Sequence, residues 1–355
     1  MTADGSRNPV ALATAYGTPP LSGRIRVEPE DFFVEELLGF EPDGNGAHVL
    51  LAVEKRGANS GWVAAQLARA AGLHVRDVGY CGQKDRHAVT RQAYTLPWPA
   101  AASVGACLDY RGEGYRVLSA VRHGRKLRPG AHRGNRFVIR VRDARGDRGG
   151  LEDRMQRVAA GGVPNYFGPQ RFGRRGDNLL RARDWAAGRE SPRDRVQRGF
   201  ALSAARAELF NRVLHARVER GDWNRLLTGE AVMLDGRRSF FRTDAIDVAL
   251  EARCAAHDVH PSGPLCGRGE SPASAEARAV EDAALADEAA LRALVETQGL
   301  EHERRPLRLA VRGLRWEIDD EVFTVSFELP RGAFATAVLH ELVLGASDRD
   351  EAGED

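Results

Sequence analysis

The chain has 355 residues, of which 43% are hydrophobic and 29% charged, and its formal net charge is +2. These values are typical of a globular protein with a substantial core, and at roughly 150 residues per domain the length suggests two domains. No apolar run approaches the roughly 18 residues of a membrane span, and residues 1–10 lack the features of a signal peptide, so we expect a cytoplasmic protein.

The first third of the chain predicts strands and one helix. Charged and apolar residues alternate over residues 24–36 around Pro29, which is typical of an extended strand with a break. Ser60 is in position to cap a helix that Gly72 would end. Further strands are expected at residues 48–54, 77–81 and 91–96, with a polar loop at 82–90.

The remainder of the chain is helix-rich in its middle and returns to strands near its end. A strand over residues 136–142 has Phe137, Ile139 and Val141 on one face and arginines on the other, and residues 321–329 alternate in the same way. Helices are expected at residues 151–160, 200–220, 275–298 and 333–344, and a disordered acidic tail at 348–355. This order suggests a helical segment inserted into a single α+β domain.

The charged residues are unevenly distributed. Ten Lys/Arg and one acid lie between residues 111 and 142, and nine arginines against four acids lie between residues 171 and 198. Between residues 270 and 303, nine acids oppose two arginines. Basic and acidic regions within a nearly neutral chain fit a protein that presents one face to a polyanion.

Cysteine and lysine are both rare. The four cysteines form no C-x-x-C pair and no histidine pair completes a zinc set, so we expect reduced, partly buried thiols and no bound metal. The only lysines are Lys55, Lys84 and Lys126. Nearly all the positive charge is therefore arginine, a bias that often reflects genome base composition.

The most unusual stretch is GYCGQKDRHAVTRQ, residues 79–92, in which cationic residues surround Asp85. An adjacent positive charge favours the ionised form of a carboxylate, and an ionised carboxylate can act as a nucleophile. A salt bridge in a polar surface turn is one alternative, and an acid–base pair of Asp85 and His87 in a hydrolase or lyase is another. The glycine and lysine spacing does not match the G-x-x-x-x-G-K-[ST] of a phosphate-binding loop.

Aromatic residues mark three further stretches. VPNYFGPQRFG, residues 163–173, contains Asn165 and Phe167, and such a loop suits stacking on a base and hydrogen bonding to a uracil edge; a buried aromatic turn is the alternative. In PEDFFVEE the two adjacent phenylalanines point to opposite faces of a strand, so one of them lies outside the core. In LPRGAFATAVLHEL, Phe334 opens a helix, either at a site or as a core residue.

Together these stretches resemble the TruD family of tRNA pseudouridine synthases. The motifs PEDFFVEE, FEPDGNGAH, GQKDRHAVTRQ, NYFGPQRFG, FALSAARAELFN and LPRGAFAT occur in the order and at the approximate spacing of that family. The resemblance covers residues 23–344, and GQKD-x-x-A-x-T and NYFG-x-QRFG are its most specific motifs.

The resemblance implies an α+β fold, with a pseudouridine synthase catalytic domain built around a mixed or antiparallel sheet and a smaller inserted α/β domain, the TRUD domain. We place the catalytic domain at residues 1–190 and 309–355 and the inserted domain at residues 191–308. The first of these domains is then discontinuous in sequence.

The resemblance further implies isomerisation of uridine 13 in tRNA by a monomer that needs no cofactor and no metal. The catalytic aspartate of the family matches Asp85, and its substrate-contacting residues match Phe32, Asn165 and Phe334. Three further candidates are Arg26, which stands where a basic partner of the aspartate is expected, Lys84 and Phe167.

A mechanism follows from this resemblance. Asp85 would act on a uridine flipped out of its stack, either by attacking C1′ of the ribose or C6 of the base, or by removing the ribose 2′ proton. Stacking on Phe334 would offset the few kcal/mol that flipping costs, and the two basic stretches would contact tRNA phosphates. The alternative is a non-catalytic RNA-binding or RNA-folding protein on the same scaffold.

Overall fold

The fold is described by a computed structural model over residues 8–345. The predicted acidic tail, and most of the segment considered as a signal peptide, lie outside these residues. The described strands are β1 (Leu21–Arg24), β2 (Phe32–Leu37), β3 (His48–Arg56), β4 (Gly79–Tyr80), β5 (Val89–Pro97), β6 (Arg111–Gly112), β7 (Tyr115–His123), β8 (Gly134–Gly146), β9 (Val163–Pro164), β10 (Ala231–Leu234), β11 (Phe240–Arg242), β12 (Val259–His260), β13 (Ser262–Leu265), β14 (Glu303–Pro306), β15 (Arg308–Leu309), β16 (Arg312–Asp319), β17 (Val322–Pro330) and β18 (Val343–Leu344). The described helices are α1 (Ser60–Ala70), α2 (Arg148–Gly161), α3 (Asp177–Ala186), α4 (Arg195–Glu219), α5 (Val248–Ala255), α6 (Ala275–Ala284), α7 (Ala289–Thr297) and α8 (Ala335–Leu342).

One large mixed sheet of eleven strands forms the centre of the molecule. Eight of its strands follow the order β16-β17-β8-β2-β5-β3-β7-β6, and β1, β4 and β18 pair beside them. β2 runs parallel to β5 and β1 runs parallel to β18, whereas β8 is antiparallel to both of its neighbours on the main path. The predicted α+β class is therefore confirmed.

Strand alternation explains the middle of this sheet. In β8, Phe137, Ile139 and Val141 are buried, while Arg136 and Arg140 are exposed. β17 supplies a matching buried row of Phe323, Val325, Phe327 and Leu329. The two rows are in register and two of their rings stack with centroids 5.5 Å apart, so removal of apolar surface from water stabilises the pairing.

Two hydrophobic cores contain or border the predicted site residues. The sheet core joins the main sheet to α2 and α8, and the helical core lies around α3, α4 and α7. Helix α3 ends at Ala186 and α4 begins at Arg195, and the two helices pack against each other. The predicted boundary near residue 190 thus falls between helices that share a core, and the division into catalytic and inserted domains stays a prediction.

An irregular N-terminal segment, residues 8–20, crosses both cores. The main-chain N–H of Ala15 donates to the carboxylate of Glu341 in α8 (2.8 Å), and Arg154 of α2 donates to the carbonyls of the next three residues. A second main-chain N–H of this segment donates to Glu208 of α4 (3.1 Å). The segment therefore ties three helices together.

Two local predictions were wrong. Asn59, and not Ser60, caps α1, because the Asn59 side chain accepts the main-chain N–H of Gly61 (2.8 Å). The single helix expected over residues 275–298 is two helices, α6 and α7, separated by a 3-10 turn. A continuous helix would point Leu285 and Leu291 about 120° apart, whereas the break lets both enter the helical core.

Two further expectations concern helix hydrophobicity and the cysteines. None of the helices within residues 8–345 is long and apolar enough to cross a membrane. All four cysteines are buried and none is in a disulfide.

Candidate active site

The loop that carries Asp85 joins β4 to β5 and lies beside the start of β2, because the parallel strands pair at Phe33 and Val89. One carboxylate oxygen of Asp85 lies 2.7 Å from Nη2 of Arg26, and the two side chains are 27% and 12% exposed. The other oxygen accepts the main-chain N–H of His87 (2.9 Å). The carboxylate is thus fixed at a partly open position.

Arg26 is itself held by an aromatic ring. Its guanidinium carbon lies 4.4 Å from the ring centroid of Phe32, which is buried and meets Phe137 edge-on. A cation over an aromatic face is attracted by the ring quadrupole. Arg26 also has φ of 55°, a left-handed backbone conformation that costs about 1–3 kcal/mol in a residue of this kind. The sheet core therefore positions Arg26, and Arg26 positions Asp85.

A buried lysine supports the loop from below. Lys55 is 1% exposed, and its Nζ donates to the carbonyl oxygens of Asp85 (2.7 Å) and Ala58 (2.9 Å). Burial lowers the pKa of Lys55 to about 8, and the charge of Asp85 opposes that shift. Lys55 fixes the main chain of Asp85, as Arg26 fixes its side chain.

Lys84 anchors the same loop by turning inward. Its Nζ lies 2.6 Å from Oε2 of Glu36, and the two side chains are 7% and 1% exposed. Its main-chain N–H donates to Oγ of Ser60 (3.0 Å), whose hydroxyl donates to Oε1 of Gln92 (2.8 Å). The predicted cap residue Ser60 is thus part of the polar floor beneath the loop.

Glu36 also belongs to a cluster with Cys81 and His132, in which one potential ligand atom from each residue lies within 4.8 Å of the others. Burial, and then the charge of Glu36, raise the pKa of the Cys81 thiol to about 12, so the thiol keeps its proton near neutral pH. A metal requires the thiolate, and the Lys84 ammonium already neutralises the carboxylate. The cluster therefore suits a protonated hydrogen-bonding group better than a metal ion.

A second group of residues surrounds Asn165, which is 5% exposed. Its Oδ1 accepts from Nη2 of Arg305 (2.6 Å) and its Nδ2 donates to the carbonyl of Pro306 (2.9 Å). Arg305 also lies 4.2 Å from the ring centroid of Phe167. Burial, and then the charge of Arg171, lower the pKa of Arg305.

The ring of Phe167 is held by its main chain as well. Its N–H donates to Oδ1 of Asn211 and its carbonyl accepts from Nδ2 of the same residue, both at 2.9 Å. Phe167 is buried and meets Phe210 edge-on in the helical core. Phe167 is therefore a fixed wall of this group.

Phe334 is half-buried and precedes the first residue of α8. The guanidinium carbon of Arg171 lies 5.9 Å from its ring centroid and 5.6 Å from that of Phe167. Phe334 also lines a cavity of about 600 Å³. The ring thus lies where the second group meets solvent.

The structure brings the predicted site residues together as two groups. Asp85, Arg26 and Phe32 form the first, which we call the Asp85 half, with Lys84 and Lys55 beneath it. Asn165, Phe167 and Phe334 form the second, the Asn165 half, joined through Arg305 and Arg171. The sheet core contains both Ala88, three residues after Asp85, and Ala335, one residue after Phe334, so both halves border one core.

The two basic stretches differ in how many of their basic residues form ion pairs with carboxylates. Four arginines of residues 111–142 pair with carboxylates, namely Arg116, Arg133, Arg136 and Arg142. In residues 171–198 only Arg183 and Arg189 do so among the described residues. The second stretch is therefore the better surface for phosphates.

Sequence reasoning missed Lys55, Glu36 and Arg305. A signal existed for the first, because Lys55 continues the inward-facing positions Val49, Leu51 and Val53 of β3. Glu36 likewise follows Phe32 and Val34 on one face of β2. No local pattern marks Arg305, whose partners are remote in sequence.

Comparisons with known proteins identify the family of this chain. The family model for tRNA pseudouridine synthase D (TruD) matches residues 12–184 and 177–342. A tRNA pseudouridine synthase D of Nitrosococcus oceani is 47% identical over 333 residues, covering 93% of each chain, and one of Methylococcus capsulatus is 47% identical over 336 residues, covering 94% of each. A crystal structure described as a tRNA pseudouridine synthase D from Methanosarcina mazei has a TM-score of 0.74 at 19% identity and covers 95% of this chain and 96% of its own. That likeness supports the fold.

Proposed function

Because the chain belongs to the TruD family of tRNA pseudouridine synthases, and is therefore an enzyme that makes pseudouridine in tRNA, we propose that Asp85 is its nucleophile and that it acts on a flipped-out uridine. The ion pair between Asp85 and Arg26, held over the ring of Phe32, carries this proposal. It supplies a carboxylate with a fixed counter-ion at the edge of an apolar core.

The target base has to leave its stack before a carboxylate can reach it. Flipping costs a few kcal/mol, and stacking on an aromatic ring returns roughly 1–3 kcal/mol per base. Phe334 is the platform in this proposal, because it is half-buried and lies at the open edge of the Asn165 half. Phe32 and Phe167 form the apolar walls that keep water from the detached base.

Asn165 orients the uracil or its ribose. An asparagine amide has two N–H donors and two lone pairs, and the contacts with Pro306 and Arg305 use one of each. Within the described residues, one donor and one acceptor remain for the substrate. The contacts of the amide with Pro306 and Arg305 fix the directions in which this donor and this acceptor point.

The reaction breaks the N1–C1′ bond and forms a C5–C1′ bond. N1 gains a proton and C5 loses one, so no oxidant or reductant is needed. Asp85 begins this sequence by attacking C1′, by attacking C6, or by removing the C2′ proton. Deuterium at C2′ gives a primary isotope effect in the last case and at most a small secondary effect in the other two.

The test of the proposal is Asp85→Asn, which keeps the size of the side chain and removes the nucleophilic carboxylate. Pseudouridine formation is expected to fall below about one per cent of wild type, since loss of a catalytic group typically costs 10²-fold or more, while tRNA binding is kept. Both are measured on one unmodified tRNA transcript.

Asp143→Asn is the matched control, because Asp143 also pairs with an arginine, Arg24, but on the exposed end of β8. This variant is expected to keep wild-type activity. Activity of Asp85→Asn above a few per cent would contradict the nucleophile role. Loss of tRNA binding in the same variant would instead favour a role of Asp85 in RNA binding.

The proposal extends to uridine 13 as the target, a monomer as the active form, and the cytoplasm as its location. Mapping of pseudouridine in total RNA from cells with and without the protein tests the position. A signal lost at another position and kept at 13 would overturn that assignment without affecting the role of Asp85.

A further inference from the structure

The cavity beside Phe334 has no role in the proposed chemistry. Its volume is about 600 Å³, and Asp85 and Phe32 are not among its lining residues. Its walls come from the loop before α3, from α3 itself, from α4 and from the start of α8. It is therefore a second space that shares one ring, Phe334, with the proposed uracil site.

An exposed aromatic ring forms one wall of this cavity. Phe200 lies near the start of α4 and is 55% exposed, although the following residue, Ala201, is buried in the helical core. A single exposed phenylalanine is ordinary on a protein surface. Here, however, the ring lines a cleft of nucleotide size together with Phe334.

Two arginines give the cleft a positive charge. Arg171 and Arg181 line it, and within residues 8–345 neither has a carboxylate within 4.0 Å. Arg171 donates to Oγ of Ser203 (3.1 Å) and Arg181 contacts Oδ1 of Asn178 (3.4 Å), so both are oriented by neutral partners. An exposed ring with uncompensated arginines is the combination that binds an unstacked nucleotide.

We propose that this cleft binds one nucleotide adjacent to the target uridine, with its base stacked on Phe200 and its phosphate on Arg181. This rests on the proposed function, because Phe334 is the platform for the target there. The neighbour of the target is covalently attached to it, so it has to lie one nucleotide away from Phe334. The cleft borders Phe334 and supplies a stacking surface and cations beside it.

Kinetics on a stem-loop RNA with one target uridine test the proposal. Phe200→Ala is expected to raise KM about 5- to 150-fold, the range that loss of one stacked base gives, and to leave kcat within about twofold. Phe200→Tyr keeps an aromatic face and is expected to keep the wild-type KM. Phe200→Leu keeps apolar bulk without that face and is expected to behave like Phe200→Ala.

Phe240→Ala is the matched control, because Phe240 is also exposed (42%) but lies in β11, outside the cleft. It is expected to leave KM and kcat unchanged. The nucleotides on the 5′ and 3′ sides of the target are each replaced in turn by an abasic residue. For the one that occupies the cleft, this replacement is expected to remove the difference in KM between wild type and Phe200→Ala. A KM for Phe200→Ala equal to that of Phe240→Ala, or a difference that survives abasic substitution on both sides, overturns the proposal.

A binding measurement separates this proposal from the proposed chemistry. An RNA with 2-aminopurine beside the target is titrated with the Asp85→Asn variant, and fluorescence reports whether that base stacks. Quenching that is lost in Asp85→Asn/Phe200→Ala supports the cleft even if Asp85 proves not to be the nucleophile. Fluorescence that is the same in both proteins overturns the cleft assignment even if Asp85→Asn abolishes activity.

Discussion

The Asp85 half and the Asn165 half of the site each place a cation against a loop, buried in the first and partly buried in the second, but the two cations lie at different distances in sequence from the residues they hold. Lys55, which supports Asp85, is 30 residues away on a nearby strand of the same sheet. Arg305, which holds Asn165, is 140 residues away. The first half is therefore assembled within one stretch of sheet, whereas the second exists only after remote segments have met.

The two halves also differ in how charge is balanced. In the Asp85 half the buried ammonium of Lys84 is paired with the carboxylate of Glu36. In the Asn165 half, Arg305 faces a neutral amide and the rings of Phe167 and Phe210. Among the residues that the structure describes, both carboxylates of the first half have a cationic partner and only the Lys55 ammonium is left without one, whereas the second half contains no such ion pair and keeps a positive field that suits the phosphates of RNA.

The largest effect is expected from opening the Lys84–Glu36 pair. Glu36→Gln leaves a buried ammonium without its carboxylate, which costs about 3–5 kcal/mol of the free energy of unfolding, measured in urea. The double variant Glu36→Leu/Lys84→Met removes both charges and is expected to recover most of that loss. Its pseudouridine formation is expected to stay low, because the Asp85 loop has lost its anchor. Full activity of the double variant would show that the Lys84–Glu36 pair contributes to stability and not to catalysis.

Arg305→Met tests the Asn165 half by removing the cation that orients Asn165. It leaves two oxygens of Asn165 without their donor, at a cost of about 2–3 kcal/mol in the free energy of unfolding. Because Asn165 then loses its orientation, KM for tRNA is expected to rise. Arg305→Lys keeps the charge but not the two-nitrogen contact, and should fall between wild type and Arg305→Met. Equal KM values in all three proteins would remove Arg305 from the site.

Lys55→Met removes the support beneath Asp85 and is expected to cost about 1–3 kcal/mol, since two buried carbonyls lose their donor. The pKa of Lys55 is lowered from 10.5 to about 8, so between these pH values the unfolded chain binds the extra proton. The contribution of Lys55 to the free energy of unfolding therefore rises with pH from 8 to 10.5. Urea unfolding over that range should show a steeper rise for wild type than for Lys55→Met, and parallel curves would refute the assignment.

The smallest effect concerns the phosphate surface next to the Asn165 half. Arg174→Gln is expected to lower the salt slope of tRNA binding, log Kd against log[NaCl], by about 1. Arg136→Gln should leave the slope unchanged, because Arg136 already pairs with Glu35 and Glu328. Equal slopes for the two variants would mean that the ion pairs of the sheet open when RNA binds.

Much of the fold was predictable because strand alternation is a local property. The inward rows of β8 and β17, and the loop that carries Asp85, follow from sequence alone. The burial of Lys55 could have been predicted in the same way, because it occupies an inward-facing position of its strand. The cap of α1 was assigned wrongly because Asn59 and Ser60 are both good caps, and only the burial of Ser60 against Gln92 decides between them.

The Asn165 half was predictable only in part. The aromatic loop and Phe334 were visible as motifs, but the contacts that orient them come from remote residues. Asn211 holds the main chain of Phe167 from 44 residues away, and Arg305 reaches across 140. Nothing in either local pattern specifies such a partner, because the pairing depends on how α4 and β14 are placed by the rest of the fold.

The N-terminal segment constrains when the enzyme can be completed during synthesis. Ala15 binds Glu341, 326 residues later in the chain, so this contact waits until α8 has left the ribosome. At about 5–20 residues per second, that wait is roughly 16–65 s. Arg154, which binds the next three carbonyls, is synthesised well before α8, but the contact between Ala15 and Glu341 stays open throughout this interval. Ribosomes that stall before residue 335 should therefore carry a chain whose first segment is still open to proteases.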